Sequence, residues 1–213
     1  MVRHRAYLDR MARARRPLAV PPGSIVHVTN RGNAQGDIFL NDGDRTLFLE
    51  LVSAQVVRRG WSALAYCLMT NHYHLLVEVP GDDLSTGMHA IGTGYAKMFN
   101  RVYGRVGHVF QDRFGAVVAE REAHAIELAR YIALNPVRAR LTARPEDWPW
   151  SSWSALVHRR RALPGLGCDR MLELFGPDRR RALHALRDFI GAGEGHTSAT
   201  DVHPRTAGAW HRG

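Results

Sequence analysis

Residues 61–79 carry two runs of strand-forming composition, Trp61 to Met69 and His72 to Val79, with only Thr70-Asn71 between them. So short a link requires a tight antiparallel hairpin. Whatever else the chain builds must pack around that hairpin. Upstream, Ser24 to Thr29 is rich in β-branched residues and stops at Asn30-Arg31-Gly32-Asn33, a strand followed by a turn. Asp42 or Asp44 then caps a helix with Leu47, Phe48, Leu51, Val52 and Val56 on one side, and Gly60 ends it.

Downstream of the hairpin, Ser85 starts a helix in which Met88, Ile91, Tyr95, Met98, Phe99 and Val102 recur at steps of three and four. That stripe reads as a core face. Val109-Phe110 and Ala116-Val117-Val118 bracket Gln111-Asp112-Arg113, which places a fourth strand within 108–120. Glu122 to Leu134 is a helix with an apolar stripe of Ile126, Ala129, Ile132 and Ala133. Asn135-Pro136 should end it, because the residue before proline avoids the α region. The order strand, helix, hairpin, helix, strand, helix is that of an α+β sandwich, with helices packed on one antiparallel sheet.

The 213 residues carry a formal charge of +9, and a single lysine, Lys97, stands among 29 cationic side chains. Arginine presents a planar, permanently charged fork that matches phosphate, so the balance favours a nucleic acid partner. No apolar run nears the roughly 20 residues of a membrane span. A secretory leader is not visible after the basic N-terminus. Two cysteines, Cys67 and Cys168, make no disulfide framework, so a cytoplasmic protein is expected. The chain divides into a basic arm (1–20), a main domain (21–140), a C-terminal helical extension (141–192) and a tail without periodicity (193–213), expected to be disordered.

Chemistry concentrates in His72-Tyr73-His74. On a strand, residues two apart project to the same face at about 6.5–7 Å between Cα atoms, so both imidazoles can converge on one divalent ion. Tyr73, Leu75, Val77 and Val79 take the other face and read as buried. Tyr131 and Asn135 lie four apart and stack on one helix face, with Tyr131 away from the apolar stripe. A zinc-finger centre is disfavoured, since Cys67 is expected to face away from the histidines and no second ligand pair has the spacing.

Met69-Thr70-Asn71-His72-Tyr73-His74-Leu75-Leu76, followed by Tyr131-Ile132-Ala133-Leu134-Asn135-Pro136-Val137-Arg138-Ala139, resembles the single-tyrosine HUH transposases. More closely, it is similar to the REP-associated tyrosine transposases. Thr29 to Asn33, Gly107 to Phe114 and Trp148-Pro149-Trp150-Ser151-Ser152 extend the likeness over about 24–155. Thr70 departs from it, standing where relatives usually carry proline. The resemblance implies a ferredoxin-like (RRM-like) catalytic domain that cuts and rejoins single-stranded hairpin DNA at repetitive extragenic palindromes. It makes Tyr131 the nucleophile of a 5′-phosphotyrosine intermediate, with Mg²⁺ or Mn²⁺ held by His72, His74 and Asn135. The tyrosine follows the histidine pair, unlike in conjugative relaxases, and Asn135 stands where rolling-circle initiators commonly carry lysine.

Arg31, Arg105, Gln111 and Arg113 are the candidate DNA contacts. Trp148, Trp150 and Trp153 either stack on unpaired bases or, the favoured reading, cover the sheet or the helix ends. The related enzymes work as monomers or homodimers. A catalytically silent DNA- or RNA-binding regulator on the same fold is the competing expectation.

Overall fold

The computed structural model describes residues 20–193. Four strands, β1 (Ser24–Arg31), β2 (Ser62–Leu68), β3 (His72–Val79) and β4 (Gly115–Val118), form one sheet in the order β2-β3-β1-β4. All three pairings are antiparallel. Three longer helices alternate with them: α1 (Asp42–Arg59), α2 (Leu84–Val102) and α3 (Glu122–Arg138). Short helices α4 (Ser152–Val157) and α5 (Asp169–Glu173) and the longer α6 (Arg179–Gly191) follow. The fold is the α+β sandwich with an antiparallel sheet and helices packed on it. Among the described residues no helix is long and apolar enough to cross a membrane.

The two sheet faces have different owners. Tyr73, Leu75, Val77 and Val79 point to the face covered by α1 and α2, where Phe48 sits 4.6 Å from the Tyr73 ring and 5.3 Å from Tyr95 (centroid distances). The Tyr95 hydroxyl donates to the Ile38 carbonyl. The opposite face carries His72 and His74 and is covered by α3. That division follows from the two-residue alternation of β3.

Several local expectations change. Asn41, not Asp42 or Asp44, caps α1: its side chain accepts from the Asp44 amide at 3.1 Å while the Asp44 carboxylate accepts from Asn41 N at 3.2 Å. Gly60 does end that helix, at φ 65°, where a side chain would be strained. Along α2 the buried row is Leu84, Met88, Ile91, Tyr95 and Phe99, whereas Met98 and Val102, expected in the same stripe, are exposed near the helix's end. The hairpin register pairs Cys67 with His74, so the cysteine shares the histidines' face instead of facing away. Directly opposed residues of an antiparallel pair always do.

The largest change is in α3, which runs through Pro136 to Arg138. Proline forfeits one amide bond, but the next turn closes on the carbonyls of Asn135, Pro136 and Val137, at 2.9 Å each. Nor is Tyr131 remote from the buried part of this helix: Tyr131 to Pro136 are all buried. The sheet covers one side, while α6 and the Trp148–Ser154 segment cover others. The free edge of β2 is sealed by that same segment, with Leu68 N donating to Trp150 O (2.9 Å) and Tyr66 N donating to Ser152 Oγ (3.0 Å). The tryptophans therefore cover the sheet edge and a helix end. Trp148 Nε1 donates to Leu68 O, Trp150 Nε1 to Asp42 Oδ1, and Trp153 is buried. The expected basic arm lies almost wholly outside the described residues, as does the tail from 194 onward.

Candidate active site

His72 and His74 sit in the centre of the sheet, flanked by β2 on one side and β1 on the other. Their ring centroids are 5.1 Å apart with planes nearly perpendicular. His74 is 4% exposed, whereas His72, nearer the strand's end, is half-buried. Tyr131 arrives from α3: its ring meets His74 edge-on at 5.6 Å and 90°. The structure thus brings together the phenol and the imidazole pair that lie 57 or more positions apart in the chain. Asn135, one turn on, is also buried, with its amide donating at 3.4 Å to the Tyr131 carbonyl.

Three residues that sequence reasoning passes over complete the cluster. His27 on β1 reaches His74, with Nε2 and Nδ1 at 3.0 Å, stacked rings 5.2 Å apart, and its edge 6.2 Å from Tyr131 (centroid distance). Its alternation with Ile25 and Thr29 is readable, but the strand pairing that sets it beside His74 is not. Asn71 Oδ1 contacts His72 Nδ1 at 2.8 Å, and the Asn71 amide nitrogen donates to the Gln35 carbonyl at 2.9 Å. Arg138 lays its guanidinium over the Tyr131 ring, 4.9 Å from the centroid. Seven residues is about two helical turns, so Arg138 reaches that ring only because α3 continues past Pro136.

Burial pushes the Tyr131 phenol above its ordinary range, while the Asn135 side chain and the cations Arg138 and Arg31 pull it back down. Burial, helped by His124, pushes the His27 imidazole down to about 4, so it is neutral at physiological pH. Cys67, though on this face, packs its sulfur 3.6 Å from Met69 Sδ, and burial pushes its thiol well up. It is a poor ligand there.

The donor chemistry fits a divalent cation. Asn71, anchored by its own N–H···O bond to Gln35, can only offer its oxygen to His72, so a neutral His72 has its proton on Nδ1 and its lone pair on Nε2. Two imidazoles and the Asn135 amide oxygen leave coordination positions for water and substrate. Among the described residues no group of three or more His, Cys, Asp or Glu is arranged to hold a metal.

The candidate DNA contacts divide. Arg31 is the register partner of His72 and lies on the same face. Gln111 and Arg113 are exposed on a loop bound to the end of β1, through Gln111 N to Arg31 O at 2.9 Å and Asn30 Nδ2 to Asp112 O at 3.2 Å. Arg105 stands apart, with its guanidinium 5.5 Å over the Phe99 ring in the α2 layer.

Residues 23–135 match the family described as "Transposase IS200 like". No curated protein matches the chain. Among solved structures, a REP-associated tyrosine transposase bound to a REP hairpin superposes with a TM-score of 0.56 at 21% identity, over 68% of this chain and 86% of that one. The tRNA(His) guanylyltransferase of Saccharomyces cerevisiae, at 9% identity, covers 84% of this chain and 83% of its own, but with a TM-score of 0.42 it carries no argument. The family match spans more than half of the sequence, including the histidine pair, Tyr131 and Asn135, and with that span it follows that this chain belongs to the IS200-like transposases.

Proposed function

We propose that the protein is a metal-dependent endonuclease and strand transferase for single-stranded hairpin DNA, acting through Tyr131. The observation that carries this reading is the contact of the Tyr131 ring with His74, at the heart of an imidazole pair whose nitrogens suit a divalent ion. His72, His74 and the Asn135 side-chain oxygen would hold Mg²⁺ or Mn²⁺, which when bound withdraws charge from the scissile phosphate and orients it.

The chain's own groups do the rest. A phenol with an ordinary pKa of about 10 is about 0.1% ionised at neutral pH, so its ionised form must be favoured. Arg138 over the ring and Arg31 nearby favour that form. Tyr131 Oη attacks phosphorus, forming a P–O(Tyr) bond as the P–O3′ bond breaks. The products are a 5′-phosphotyrosine and a free 3′ hydroxyl. Attack of a 3′ hydroxyl on that linkage reverses the balance and rejoins the strand, with no nucleotide cofactor. Arg31, Gln111 and Arg113 hold the DNA backbone on the His72 side. The work is done on chromosomal DNA, in the cytoplasm.

The test is incubation with a hairpin oligonucleotide of the repetitive-palindrome type and Mg²⁺ or Mn²⁺. Wild type is expected to give an SDS-resistant protein–DNA adduct that disappears in Tyr131→Phe. Hairpin binding with no adduct under either metal would instead establish a silent binding regulator.

A further inference from the structure

Two buried imidazoles meet inside this sheet, His27 Nε2 and His74 Nδ1 at 3.0 Å, with ring planes 20° apart. Each is 4% exposed. Ring nitrogens that close share one N–H, so one ring donates and the other accepts. The two arrangements have opposite consequences. If His27 donates, the proton of His74 sits on Nε2, and that nitrogen has no lone pair for a cation. If His74 donates from Nδ1, its Nε2 lone pair is available. Asn71 imposes the second arrangement on His72 through an oxygen that can only accept.

We infer that His27 is a positioning residue: it accepts the His74 Nδ1–H, holds that imidazole in the tautomer whose Nε2 can take a divalent cation, and fixes its ring beside Tyr131. The inference rests on the metal-site reading above. It explains why a polar ring occupies a β1 position whose neighbours Val26 and Val28 are fully buried aliphatics. A leucine there would keep the packing without a buried polar group to satisfy. Partners of this kind, which orient a ligand's second nitrogen, typically change metal affinity by about 10- to 100-fold when removed.

The experiment measures Mn²⁺ binding to the DNA-free protein, by the electron paramagnetic resonance signal of unbound Mn²⁺, in wild type, His27→Leu and His27→Gln. Loss of about 10- to 100-fold in affinity is expected for His27→Leu. His27→Gln should recover most of it, since the glutamine oxygen can accept where Nε2 did. In ¹⁵N-histidine spectra, His74 of the wild type should carry its proton on Nδ1, and this preference should be lost in His27→Leu. A folded His27→Leu that binds Mn²⁺ as well as wild type overturns the inference, as does a wild-type His74 protonated on Nε2. Should the leucine variant not fold, the glutamine variant and the wild-type tautomer decide the matter. A wild type that takes up no Mn²⁺ sinks the metal-site reading itself, whereas unchanged affinity in the leucine variant sinks only the role of His27.

Discussion

Replacing Arg138 by methionine removes a cation from the face of the proposed nucleophile while keeping a long apolar side chain. The guanidinium carbon lies 4.9 Å from the Tyr131 ring centroid. Unit charges at that separation interact by about 3.4 kcal/mol at an effective dielectric of 20 and about 0.8 kcal/mol at 80. At 1.36 kcal/mol per tenfold, losing the charge lowers the ionised fraction of the phenol by between about 4-fold and about 300-fold. Burial already holds Tyr131 above its ordinary range, so the anion is scarce throughout neutral pH and the loss is felt in full. Single-turnover adduct formation between pH 7 and 9, with metal and hairpin saturating, should therefore slow by a factor within that span of about 4 to 300. Arg138→Lys, which keeps the charge, should fall in between. A second arm separates electrostatics from structure. With a ring-fluorinated tyrosine at position 131, whose phenol is more acidic, the gap between wild type and Arg138→Met should narrow. Adduct formation at the wild-type rate in Arg138→Met, or a gap that the acidic phenol leaves untouched, refutes the reasoning.

Two further outcomes test the scaffold. A Cβ on Gly87 would lie 2.4 Å from Trp61 Cη2, and that ring is pinned by its Nε1 bond to Asp83 at 2.8 Å. Gly87→Ala should accordingly lower stability by about 1–2 kcal/mol despite the better helix propensity of alanine, visible as a lower urea midpoint. An unchanged or higher midpoint would show that the ring has room to move. Asp83 supplies the other: burial alone would raise its carboxyl, but the bonds from Arg59 (2.6 Å) and Trp61 hold it below the ordinary range. A depressed carboxyl stabilises above its unfolded pKa of about 3.9, and the contribution is lost as pH falls through the lower folded value. Wild type should thus exceed Asp83→Asn in stability at about pH 5–7, with the difference closing below about pH 4; a difference independent of pH rejects the assignment.

What a sequence discloses here depends on the range of the interaction. The hairpin at 62–79, the strand face shared by His72 and His74, and the Tyr131–Asn135 spacing are all local periodicities, and each is legible in the chain itself. Cys67 and His27 escape that reading for one reason. Their places depend on which residue of a neighbouring strand they oppose, and register is fixed by the turn and the packing, not by the strand's own pattern. Arg138 escapes it because Pro136 favours an end to the helix. What outweighs that tendency is tertiary: Leu134 and Pro136 are buried against the rest of the molecule, and the carbonyls of residues 135–137 find donors in the turn that follows. Tyr131 looks remote from the core in sequence because the apolar stripe of α3 accounts for one side only. The other sides are covered by segments after residue 145, too distant in sequence for any local signal.

The burial of Tyr131 at first looks adverse to catalysis, since it opposes ionisation and restricts access. Yet only 7% of the residue is exposed, and the partners that favour the anion act on it through a medium largely shielded from water. A charge at 4.9 Å is worth several times more there than at the surface, and the same holds for any cation held by the imidazole pair. Arg138, Arg31 and Asn135 each pull against the desolvation, which still holds the phenol above its ordinary range. Under the proposed function the fold also bears on where DNA would approach. The α3 helix closes the site from above and β2 flanks it on the sealed edge, leaving the end of β1 and β3, where His72 and Arg31 pair and are half-exposed and where Gln111 and Arg113 stand in solvent. A phosphate arriving there would meet cationic and amide groups first and the phenol last. Under the proposed function a buried nucleophile and an accessible site are compatible, because the exposed groups would hold the DNA while the covered ones would perform the chemistry.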